Sequence, residues 1–188
     1  MGSVSAADGE TQPAGWLLLV YRVPSEPSRL RATVWRRLKS LGAIYLQSSA
    51  AALPASTQAE RALRRLRSEI LDMSGSAALL SCTVLAGEAE VRAAFQAARN
   101  DEYEEIVDKC QDFLAGLRKE YDANHFSFAE LEENEVDLVK LRTWLERVRD
   151  RDVFHADGLE TALSSLAECE EQLEAYAARV YAEEAESR

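Results

Sequence analysis

Trp16-Leu-Leu-Leu-Val-Tyr21 is a six-residue apolar run, followed closely by Pro24 and Pro27. A short unbroken run that stops at prolines reads as a buried strand, because proline cannot donate to a sheet ladder. Next, Leu30, Val34, Leu38 and Leu41 recur at helical spacing from Pro27 or Ser28 onward, and Gly42 stops the helix. Residues Ala43–Gln47 and Ala50–Leu53 read as two short strands joined by a turn at Ser48-Ser49 and closed by Pro54. Alanine is a poor strand residue, so the alternative is a three-stranded sheet with residues 48–54 as an irregular loop. A second helix is predicted over Thr57–Met73, with Ala59, Ala62, Leu63, Leu66 and Ile70 on one stripe and Gly75 beyond it. Ala77–Leu85 is a further strand of the buried type. The order strand, helix, strand, strand, helix, strand is that of a ferredoxin-like split βαβ. It predicts an α+β fold with a four-stranded antiparallel sheet and two helices on one face.

On either side of this block the texture changes. Residues 1–14 are mostly small and polar and read as a flexible tail, so the ferredoxin-like domain spans 15–87. Residues 88–185 contain no proline and two glycines, and the whole of 88–188 reads as a helical lobe of about three long helices. The first runs Glu88–Tyr121, with a break expected near Asn100-Asp101. Ser127-Phe-Ala-Glu130 is a capping box that starts the second. There Leu131, Leu138 and Leu145 repeat at seven, as do Asn134, Leu141 and Val148, giving a seam with one polar position. The last runs Gly158–Glu184 with Leu159, Leu163, Leu166, Cys169, Leu173, Tyr176 and Val180 on one side. Short connections predict an antiparallel three-helix arrangement.

Composition narrows the function classes. Of 188 residues, 47% are hydrophobic and 29% charged, with only 4 Pro and 8 Gly, which excludes a disordered chain. No run approaches the roughly 20 apolar residues that span a bilayer, and no basic segment leads into a long apolar one. Neither a membrane anchor nor a secretory signal is expected. Three scattered cysteines, Cys82, Cys110 and Cys169, fit a reducing cytoplasm better than a disulfide framework. The net charge of −11 is unevenly spread. Residues 1–75 hold ten Lys/Arg against six Asp/Glu, whereas 76–188 hold twelve against twenty-seven. A basic module precedes an acidic one.

Several stretches together carry a family resemblance. They are Trp16-Leu-Leu-Leu-Val-Tyr-Arg-Val-Pro-Ser-Glu-Pro-Ser-Arg-Leu-Arg31, Val34-Trp-Arg-Arg-Leu-Lys39, Leu41-Gly-Ala-Ile-Tyr-Leu46, Phe95-Gln-Ala-Ala-Arg-Asn-Asp-Glu-Tyr103, Phe126-Ser-Phe-Ala-Glu-Leu-Glu132 and Arg149-Asp-Arg-Asp-Val-Phe154. Over residues 15–185 the chain resembles the N-terminal domain of ChrB, the chromate-resistance regulator family. The first two stretches are also similar to the core of PaaX-type repressors, itself similar to a small ferredoxin-like subunit of CRISPR integration complexes. The resemblance implies a part in transcriptional control of a chromate-responsive operon, with DNA as a partner. ChrB proteins carry a second, C-terminal domain, and PaaX proteins a winged helix ahead of the core. This sequence shows neither, and the expectations are that it has lost the sensor, works with a separate partner or does something else; a second copy or a separate sensor protein is the expected protein partner.

The candidate DNA-binding residues are Arg29, Arg31, Arg36, Arg37 and Lys39 on the first helix and Arg61, Arg64, Arg65 and Arg67 on the second, with Trp35 among them. Two helices on one sheet face could merge these nine cations into one phosphate-binding patch. The alternative is that they pair with the acidic lobe, including Glu130, Glu132, Glu133, Glu135 and Asp137, or simply solvate a helix face. Trp35 is read first as a core anchor, and otherwise as a base-stacking residue. The end of the first strand, Tyr21-Arg22-Val23-Pro24, offers no carboxylate, so two-metal nuclease chemistry is not expected. His125 and His155 lie in separate linkers and read as surface residues, and the cysteines as inert thiols. No catalytic triad, phosphate loop or metal-ligand spacing is visible, so no enzyme activity, metal or cofactor is expected.

Overall fold

A computed structural model of the chain describes residues 15–186; the expected tail at 1–14 lies outside the described residues. The elements are β1 (Trp16–Arg22), α1 (Arg29–Ser40), β2 (Ile44–Gln47), β3 (Ala50–Pro54), α2 (Thr57–Asp72), β4 (Ser76–Cys82), α3 (Glu88–Asp122), α4 (Phe128–Arg149) and α5 (Gly158–Glu186). The chain divides into two compact units, one up to Phe95 and one from Gln96 onward, so the division falls inside α3.

In the first unit the four strands form one sheet in the order β2-β3-β1-β4, with every neighbouring pair antiparallel. The apolar run of β1 takes a central place, paired through Leu19↔Ala51 on one side and Leu19↔Leu79 on the other. Burial on both edges suits a strand with no polar side chain until Tyr21. Helix α2 packs on β1 and β4, and α1 lies against α2. Val34 and Leu38 of α1, Leu63, Leu66 and Ile70 of α2, and Leu19 of the sheet are all buried. Ser56 caps α2 by accepting from the Ala59 amide at 3.0 Å. The strand expected at 50–53 forms, although alanine is a poor strand residue. Ala51 and Ala52 are buried in the sheet, and packing overrides the weak propensity.

Two local expectations need correction. Strand β4 stops at Cys82 rather than Leu85, because Trp16↔Cys82 is the last pair that β1 provides, and Leu85 is fully exposed. Cys82 therefore ends its strand instead of sitting mid-strand. Helix α3 runs through Asn100-Asp101 without a break. The Asn100 carboxamide oxygen accepts instead from the Gly158 amide at 2.9 Å, at the first turn of α5.

The second unit has one apolar core. Tyr103, Ile106, Cys110 and Leu117 of α3 meet Leu131, Leu138, Leu141, Leu145 and Val148 of α4 and Leu166, Cys169, Leu173, Tyr176 and Val180 of α5. The seven-residue seam of α4 is thus buried as its spacing predicts. Its polar member, Asn134, is half-buried and donates to the Glu130 carbonyl at 2.7 Å. A polar cluster fixes the α4–α5 connection onto α3. The Tyr103 hydroxyl donates to Asp152 at 3.1 Å, and the same carboxylate accepts from the Ala156 amide at 3.0 Å. Glu102 lies 2.6 Å from Arg151 and 2.9 Å from Arg99. Burial pulls the Arg99 guanidinium below its ordinary pKa against the pull of Glu102, and burial with the Asp152 charge pushes the Tyr103 phenol up. Among the described residues, no helix is long and apolar enough to cross a membrane.

Candidate nucleic-acid interface

Helix α1 carries five cations and no acidic residue, while α2 carries four cations with Glu60, Glu69 and Asp72. Each helix turns its apolar stripe to the sheet, which forces the cations outward. All nine candidate Arg and Lys residues are exposed. They do not collapse into one spot. Arg31, Trp35 and Lys39 follow one another at i, i+4 and i+8 along one flank of α1. Arg37 turns to the other flank, where its guanidinium comes within 3.8 Å of Glu69 on α2. Arg64 is clamped by Glu60 of its own helix at 2.6 Å. Arg67 reaches past the helix and donates to the Ala77 carbonyl of β4 at 3.1 Å. Arg36 bonds back to the Ala32 carbonyl at 3.3 Å.

Arg29, Arg31, Arg61 and Arg65 have no ion-pair partner among the described residues. The helix layer is therefore basic across its width, with only Arg37 and Arg64 partly neutralised. Neither of those pairs is strong. Both are surface pairs, and the Arg37 contact is long.

Trp35 corrects the first reading of it. It is 50% exposed, and the Lys39 ammonium sits 5.5 Å from its ring centroid. The sequence held a usable signal. Trp35 follows Val34 by one residue, a turn of roughly 100° that carries it off the buried stripe. An exposed indole amid cations can stack on a base while its neighbours hold phosphates.

The remaining candidates belong to the second unit. His125 is exposed, with Nδ1 at 2.8 Å from Glu120, and His155 is exposed in the α4–α5 connection. Glu132, Glu133, Glu135 and Asp137 lie on the exposed side of α4, and Glu130 is half-buried. Cys110 and Cys169 are buried as neighbours within the second unit, the Cys169 thiol donating to the Cys110 carbonyl at 3.5 Å. Among the described residues, no group of three His, Cys, Asp or Glu side chains is placed to hold a metal ion.

A family model described as "Protein ChrB, N-terminal" matches residues 31–187. The chain belongs to the ChrB N-terminal family. The match begins inside α1 and takes in β2, β3, α2, β4 and the three long helices, so the ChrB model covers parts of both units. A search of curated proteins found no match.

Proposed function

We propose that this ChrB N-terminal chain is a transcription-regulatory or regulator-accessory protein that holds duplex DNA against α1 and α2. In this reading the first unit is a ferredoxin-like βαββαβ domain. The strand order β2-β3-β1-β4 with β1 between two antiparallel neighbours supports that assignment. One observation carries the functional reading: nine exposed cations share one two-helix layer, and most of them lack a carboxylate partner there. Such a layer attracts phosphates and releases condensed counterions on binding. Trp35 supplies the one aromatic surface within it. The role is non-catalytic and needs no cofactor, and the compartment is the cytoplasm, where an operon and three reduced cysteines are compatible.

A second reading is a protein–protein module without DNA contact. The feature that favours it is the uncharged, unpaired edge of β4.

Fluorescence anisotropy with the chain's own upstream duplex and a scrambled duplex, at three salt concentrations, separates the two. With about five phosphate contacts, log Kobs should fall with log salt at a slope of about −4.5. Tighter binding to the cognate duplex, lost in Arg61→Glu/Arg65→Glu, supports the regulator. Equal binding to both duplexes reduces the layer to a basic surface. No binding at low salt removes the DNA reading.

A further inference from the structure

The two edges of the sheet are built differently. Edge strand β2 has four residues and a register shift between Tyr45 and Gln47, a bulge that spoils pairing. Edge strand β4, Ser76-Ala-Ala-Leu-Leu-Ser-Cys82, has seven residues, no charge, no proline and an unbroken register with β1. Among the described residues no strand lies on its outer side.

The hydrogen bonds of β1 show which β4 groups are unused. The Tyr21 amide donates to the Ser49 carbonyl and the Ala55 amide to the Gly15 carbonyl, both at 2.9 Å, so Gly15, Leu17, Leu19 and Tyr21 address β3. Alternate residues of a strand address opposite sides. Trp16, Leu18, Val20 and Arg22 therefore address β4, and engage Cys82, Leu80, Ala78 and Ser76. The amides and carbonyls of Ala77, Leu79 and Ser81 point to the open side. Among the described residues, only the Ala77 carbonyl is met there, by Arg67. On the sheet face that carries Leu18, Val20 and Leu80, Val20 is 42% and Leu80 45% exposed, so an apolar strip runs up to this edge.

We propose that β4 is the docking edge for a second copy of this chain, paired antiparallel across a two-fold axis at Leu79. The argument for a second copy is self-complementarity. The outward groups are spaced symmetrically about Leu79, so Leu79 meets Leu79 of the second copy and Ala77 meets its Ser81, twice over. Ala78 and Leu80 then fall opposite each other at the close, non-hydrogen-bonded positions, about 4.5 Å apart at Cα. The strand brings no charge to the pairing, and the apolar strip becomes continuous across it. Of the flanking cations, Arg64 is held by Glu60, and Arg67, which takes one lone pair of the Ala77 carbonyl at this edge, must leave the other to the Ser81 amide of the second copy. The product is an eight-stranded sheet with two copies of α2 side by side on one face. It doubles the basic layer with the symmetry of a two-fold duplex site. The pairing does not depend on DNA binding, and its test reads mass alone.

The test is sedimentation equilibrium on the full chain without nucleic acid. The expected mass is twice the 20.9 kDa of one chain. Ser81→Pro removes an amide that points away from β1, so the ladder inside the unit survives while two bonds of the dimer are lost. It should weaken association by roughly tenfold or more at an unchanged thermal transition. Leu80→Lys, on the exposed face, should do the same without touching the backbone. Ala78→Cys/Leu80→Cys in a Cys82→Ser background reads the register directly. On treatment with diamide, two facing thiols should join as an intermolecular disulfide, their protons and electrons passing to the diamide. A single-chain mass at high micromolar concentration overturns the proposal. So does a dimer that both substitutions leave intact and the paired cysteines fail to cross-link, since the copies then meet elsewhere.

Discussion

The two units of this chain solve opposite problems with the same device, a helix with one apolar stripe. In the first, α1 and α2 press short stripes onto a sheet and leave nine cations in water. In the second, α3, α4 and α5 bury longer stripes against one another and leave an acidic exterior, with eight carboxylates against one arginine on α5. The exposed charge is unlike in sign on the two units. The second unit's polar side chains are partly drawn inward, as in the cluster of Tyr103, Glu102, Arg99, Arg151 and Asp152. The first unit's cations are left for solvent or a ligand. Polar groups engaged within the fold and polar groups left exposed are separated along the chain.

The largest test of that contrast is the apolar core of the second unit. Ile106→Ala or Leu145→Ala, each at a buried position, should cost about 2–5 kcal/mol in urea unfolding. A cost under about 1 kcal/mol would mean that the long stripes are not the unit's main support. Next comes the charge layer. Arg61→Glu/Arg65→Glu should lower duplex affinity by at least about tenfold and flatten the salt slope by roughly two. Its urea midpoint should barely move, since exposed substitutions stay within about 0.5 kcal/mol. Loss of stability in place of affinity would erase the distinction between the units. Tyr103→Phe leaves Asp152 short of one donor and should cost about 1 kcal/mol, with duplex affinity unchanged.

Trp35→Ala sharpens the contrast at a single residue. A stacking role predicts about 1–3 kcal/mol lost from binding to a DNA strand with an unpaired, unstacked base. The thermal transition should hold, because half of the ring is already in water. The smallest effect is alkaline. Tyr103 is raised by burial and Asp152, and Tyr45 by burial and the Tyr21 hydroxyl 3.2 Å away. Unfolded tyrosines ionise near their ordinary 10.0, while the folded ones hold their protons longer. The stability these groups add is therefore complete below that value and declines as pH rises toward the folded pKa values. Urea midpoints that stay flat between neutral and strongly alkaline pH would contradict the assignment.

Much of this was legible in the chain. Apolar spacing, with prolines and glycines as stops, located β1, α1, β2, β3, α2 and the three long helices to within a few residues, because each period reports a local geometry. Ser127 before Phe128 marked the start of α4 by the chemistry of its cap, confirmed by the Glu130 amide at 3.3 Å from its hydroxyl. The change from basic to acidic text and the family resemblance needed no coordinates either.

What only the tertiary structure decided is what each face meets. Periodicity groups residues on a stripe without saying what covers its flanks: Trp35 falls beside the stripe of Val34 and Leu38, and only the packing shows that this flank is left half in water. The Asn100-Asp101 pair looked like a break until Asn100 was found accepting from Gly158, a residue 58 positions away. The end of β4 at Cys82 depends on where β1 begins, and its open edge depends on strand order. These are pairings between segments distant in sequence. A local pattern encodes the propensity of a segment, and its neighbours in space decide which of its groups are left to bind.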